Sequence, residues 1–220
     1  MKIAPKINIQ KVNEHSLHID NIIREFPDSK FSNFNLKWFE IIQRIDNVNI
    51  LIHDLYKDFN LINTELSKDA IENAYLKTPL FYKQKFLTEQ IIYWIRKTLD
   101  EIIAMIYVLE YLKIKKEYPT HIKIESIGHL IGSKEFLINI KTNHLDFLKI
   151  INNISNTYKH SFFNSEIHNY IGELDPLVFS YGFKNNNLEK EMMFTTYKLE
   201  EIIIALNKLL GDLIIYIKQI

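Results

Sequence analysis

Trp38, Ile41, Ile45, Val48, Ile52, Leu55, Phe59, Ile62 and Leu66 are separated by strictly alternating steps of three and four residues. A strand repeats every two residues, whereas an α-helix places all of these side chains on one stripe. The pattern predicts a helix from about residue 35 to about residue 67, on the order of 50 Å long at 1.5 Å per residue. A stripe of that length needs a partner of similar length to leave water. The partner is visible between Pro79 and Pro119, where Leu87, Ile91, Trp94, Ile102, Met105, Leu109 and Leu112 repeat at helical spacing and Thr98 is the one polar interruption. The intervening SKDAIENAYLKTP reads as a turn region with its own short helical piece, so the two helices are expected to return antiparallel.

Residues 117–142 are less legible. THIKIE fits a short strand, and SIGHLIGSKEF fits either a loop or a short helix. From Asn143 a third helix carries Phe147, Ile151, Ile154 and Tyr158 and ends near Phe163. DPLVFSYGF and EKEMMFTTY then flank the turn residues KNNNL, which predicts a hairpin. Leu199, Ile202, Leu206, Leu210, Leu213 and Ile217 mark a last helix. The expected fold is all-α, an antiparallel helical bundle with long helices and a small β-hairpin inserted before the last helix. Residues 1–220 read as one domain, with 1–34 as an N-terminal extension and 35–80 as the first long helix and its turn.

Composition removes several function classes. The absence of cysteine excludes disulfides, thiolate metal sites and cysteine nucleophiles, and suits a reducing cytoplasm. Lysine plus arginine equals aspartate plus glutamate at 27 each, so no global field draws the chain to nucleic acid or to an anionic membrane. MKIAPKINIQKVNEH lacks the continuous apolar stretch of a secretion signal. The segments 102–109 and 201–220 are too short or too charged to span a bilayer. The expected location is therefore the cytoplasm.

One stretch carries a candidate site, NISNTYKHSFFN at residues 153–164. On a helical wheel Asn153, Asn156 and His160, spaced by three and four, fall nearly opposite the apolar stripe of their own helix, with Lys159 on the flank. Two readings are open. As chemistry, His160 would move protons, Asn153 and Asn156 would orient a substrate or hold a phosphate oxygen, and Lys159 would stabilise developing charge. As plain structure, asparagine, lysine and histidine suit the last turn of a helix, where positive charge meets the negative end of the dipole.

The layout of a long helix bearing RKTLDEI, a later helix ending in NTYKHS, a short β element and a closing helix resembles the HEPN superfamily of prokaryotic helical bundles. The resemblance covers roughly residues 81–220. It implies a homodimer in a toxin–antitoxin or antiphage defence setting, with RNA or a cognate protein as partner. It also implies metal-independent endoribonuclease chemistry without a cofactor, in which His160 is the family histidine, acting at a dimer-interface cleft. Active members carry an arginine four to six residues before that histidine, whereas residues 154, 155 and 156 here are Ile, Ser and Asn. An inactive bundle serving as a non-catalytic interaction or regulatory module is the alternative, and a small-molecule or nucleotide binder is a third.

The chain has three arginines, Arg24, Arg44 and Arg96. Arg96 and Asp100, four apart on the second long helix, are expected to pair. Either they form a surface salt bridge, or Arg96 reaches the His160 region from its neighbouring helix and replaces the missing arginine in holding substrate. The remaining histidines do not make a metal site: His15 and His18 lack a third ligand, and His121 and His129 are too far apart across an irregular segment. The basic run Lys113–Lys116 reads as a solvated helix end.

Overall fold

The computed structural model describes residues 1–9, 34–66, 74–161, 175–183 and 186–220. The order is α1 (Phe34–Leu66), α2 (Ala74–Lys115), α3 (Ile127–Gly132), α4 (Ile138–His160), β1 (Leu177–Phe183), β2 (Met192–Lys198) and α5 (Leu199–Gln219). This is an all-α bundle with a small hairpin before the last helix. Of the turn region expected over SKDAIENAYLKTP, residues 74–79 are the start of α2, while residues 67–73 and the His15/His18 pair lie outside the described residues.

The long stripe of α1 is buried from Trp38 to Ile62 and α1 packs on α2, whose Ile91, Ile95, Leu99, Ile102 and Ile106 belong to the same core. Polar pairs at both ends fix the antiparallel sense: Arg44 donates to Glu101 at 2.7 Å, and Lys83 lies 2.7 Å from Asp58. The Arg44 guanidinium also sits over the Trp94 ring at 5.7 Å. The sequence reading starts the second helix after Pro79, but α2 begins at Ala74 and carries Pro79 in its second turn. A proline there costs one early backbone bond and leaves the rest of the ladder intact.

α4 runs antiparallel to α2, burying Phe147, Ile151 and Ile154 of its predicted stripe together with Leu148, while Tyr158 is half-buried. THIKIE forms no strand; Ile122 and Ile124 pack against the core from irregular backbone. SIGHLIG supplies the short α3, whose Ser126 cap accepts from the His129 N–H at 3.2 Å. α5 packs on α4, and its last turn meets the end of α2, where Lys113 donates to the Gln219 carbonyl at 3.3 Å.

β1 and β2 pair antiparallel, Leu177 opposite Lys198 through Phe183 opposite Met192. The end of α4 pins this hairpin: the Tyr158 hydroxyl donates to the Phe179 carbonyl at 2.9 Å and Ser161 Oγ to the Tyr181 carbonyl at 2.8 Å. Gly182 permits the approach, since a Cβ there would meet Ser161 Oγ at 2.5 Å. Residues 1–9, read only as part of an extension, lie against α1 and α5, with Ile7 in the main core.

Candidate functional site

The apolar stripe of α4 turns one face of the helix inward, and Asn153, Asn156, Lys159 and His160 are all exposed on the rest. The Asn153 backbone carbonyl accepts from Thr157 Oγ1 at 2.9 Å, which leaves its carboxamide at the rim of a cleft of about 310 Å³. That cleft is lined by Asp146, Lys149, Ile150, Thr195 and Tyr197, between α4 and β2. Lys159 places its ammonium over the Tyr93 ring at 5.9 Å, a cation–π contact that draws α4 to α2. His160 is held through its main chain: its carbonyl accepts from Asn186 Nδ2 at 2.6 Å. Among the described residues neither the His160 ring nor the Asn156 carboxamide has a hydrogen-bond partner, so both are presented to solvent.

Arg96 lies elsewhere. Its Nε donates to both Asp100 oxygens at 2.9 Å, and its Nη1 donates to Asn152 Oδ1 at 2.7 Å. Asp100 Oδ1 also accepts from the Ile127 N–H at 2.8 Å, so one ion pair ties α2 to α3 and α4. The expected pair therefore forms, but as a correction to the surface reading its arginine is interior, only 8% exposed, while Asp100 is partly buried. Burial pushes the Asp100 carboxyl above its ordinary range, while the Ile127 N–H and the Arg96 guanidinium oppose that shift. Arg96 meets Asn152, eight residues before His160, which is about 12 Å along the helix. Its side-chain partners are Asp100 and Asn152, not His160.

Asn152 was not singled out in the sequence, because its partner is 56 residues away on another helix and no spacing rule connects them. His144 is the second such residue. It interrupts α4 with non-helical backbone (φ −120°, ψ 15°), and its Nε2 lies 2.7 Å from Asp212 Oδ2 on α5. The pair adjoins an open cleft of about 420 Å³ lined by Asn143, Asp146, Glu201, Ile204 and Lys208. The interruption at His144 is a hint that periodicity alone does not carry.

Among the described residues no group of three or more histidine, aspartate or glutamate side chains is placed to hold a metal ion, and no helix is long and apolar enough to cross a membrane. No protein-family model, curated protein or solved structure matches the chain.

Proposed function

We propose that this chain is a HEPN-like bundle of a prokaryotic toxin–antitoxin or antiphage defence type whose α4 terminal face binds RNA without cutting it. The observation that carries the choice of binding over cleavage is the commitment of Arg96. A motif arginine would have to present its guanidinium to a phosphate beside the histidine. Arg96 instead turns its Nε to Asp100 and its Nη1 to Asn152 and is only 8% exposed. Lys159 keeps an exposed positive charge beside the half-exposed Tyr93, and Asn153, Asn156 and His160 extend the polar surface. A cation, an aromatic ring and free carboxamides on one face suit single-stranded RNA, where phosphate contacts and base stacking combine. In a homodimer two such faces would line a shared cleft, as the resemblance implies.

The test is a single-stranded RNA oligonucleotide with purified protein in chelator. Binding that weakens in Lys159→Glu, with the RNA intact, is the expected outcome. RNA loss that disappears in His160→Ala would replace binding with catalysis. A second reading, a protein-docking module, is favoured by Met192, Met193 and Phe194, three consecutive exposed apolar residues on β2. It predicts that Met193→Glu with Phe194→Glu abolishes a protein complex while RNA binding is unchanged.

A further inference from the structure

Residues 2–8 are held by a pattern seen nowhere else among the described residues. Asn60 and Asn49 on α1 and Asn207 on α5 each turn a carboxamide to the main chain of this segment. Asn60 accepts from the Lys2 N–H at 2.8 Å and donates to the Lys2 carbonyl at 2.8 Å. Asn49 does the same at Ile7, at 2.8 and 3.1 Å. Asn207 accepts from the Asn8 N–H at 2.8 Å and donates to the Lys6 carbonyl at 2.9 Å. Carboxamides used this way replace a neighbouring strand, and they read an extended backbone whatever its side chains.

The spacing fits an extended ligand. Asn49 and Asn60 are eleven residues apart, about 16 Å along a helix, and the five steps from Lys2 to Ile7 span about 16 Å when extended. Two side chains add selectivity. Ile7 is buried in the core, and Lys2 pairs with Asp175, a largely buried carboxylate that Lys198 also approaches at 3.2 Å. Ile3 and Met1 point to solvent. Tyr56, between the two asparagines on the same stripe of α1, has a buried hydroxyl without a partner among the described residues.

We propose that the α1/α5 groove is a peptide-binding site and that residues 2–8 are its resident, displaceable ligand. Its ligand class is an extended peptide with a basic side chain five residues ahead of a buried aliphatic one. The occupant that competes with the resident segment is a partner protein's segment of that chemistry, matched to Asp175 by charge and to the Ile7 seat by shape.

The test uses the full chain and a fluorescent synthetic peptide of sequence MKIAPKINI, followed by anisotropy. Ile7→Asp in the protein should unseat its own segment and raise the affinity for added peptide at least tenfold over the unaltered chain. Adding Asn49→Ala and Asn207→Ala to that variant should remove at least tenfold, and a scrambled peptide should not bind. An Ile7→Asp protein with unchanged helical circular dichroism that binds the peptide no better than the unaltered chain would overturn the proposal. Should Ile7→Asp fail to fold, Asn8→Pro removes the donor to Asn207 while keeping Ile7, and the same comparison decides. A dimer of the unaltered chain that free peptide converts to monomer would seat a second copy's residues 2–8 in the groove, and would overturn the in-chain seating.

Discussion

Asn49, Asn60 and Asn207 spend their carboxamides on the main chain of residues 2–8, while Asn153 and Asn156 on α4 hold theirs at the surface. Between these extremes Asn152, adjacent to Asn153 in sequence, accepts from Arg96 beside the partly buried Arg96–Asp100 ion pair. The same side chain thus serves as a strand mimic, an interior polar joint and an exposed contact group. The difference lies in the partner: a carboxamide facing unpaired backbone or a charge within the chain is already engaged, and one facing solvent is open to an added ligand.

That contrast is open to direct attack by substitution. The largest effect is expected at the interior joint. Arg96→Met leaves the partly buried Asp100 without its cation and should cost about 2–3 kcal/mol in urea unfolding; a loss under about 1 kcal/mol would mean that water takes over the role of the guanidinium. Asn49→Ala strands the Ile7 N–H and carbonyl and should cost about 1–3 kcal/mol, with loss of protection of the Ile7 amide in hydrogen exchange.

A smaller effect is expected from pH. The hydrogen bond from Lys2 holds the Asp175 carboxyl below its ordinary value, with Lys198 adding to the shift against opposition from burial. A depressed carboxylate contributes stability that is present above its unfolded value of about 4 and is lost as pH falls through its folded value. The seating of residues 2–8 should therefore weaken in acid below about pH 4, and Asp175→Asn should flatten that part of the profile. An unchanged profile would remove Asp175 from the anchor. The smallest effect is expected on α4, where Asn156→Ala should stay within about 0.5 kcal/mol in stability while weakening RNA binding. A large stability loss there would move Asn156 into the structural class.

The long elements are legible because their period is local and unbroken. α1 matches the helix read from the Trp38 to Leu66 stripe, about 35 to about 67, to within a residue at each end, and α5 and the hairpin follow their patterns. What periodicity hides is pairing over distance. Asn207 meets Lys6 and Asn8 across some two hundred residues, and Arg96 meets Asn152 across 56. Residues 2–8 form no regular element of their own, so no pattern announces their place. The exposed stripe on α4 is legible as a face opposite a core, since a helical wheel fixes direction. The wheel does not show which neighbouring groups face it, and so it could not place Arg96 at Asn152 instead of at His160.

The central claim, that the α4 face binds RNA through Lys159 without cutting it, is tested most directly by salt dependence. Affinity for a single-stranded RNA, measured across salt concentrations in chelator, gives a slope that counts phosphate contacts. Removing one contact with Lys159→Ala should reduce the slope by about 0.7 while the RNA stays whole. Identical slopes for the two proteins, or RNA cleaved by the unaltered chain and spared by His160→Ala, would contradict it.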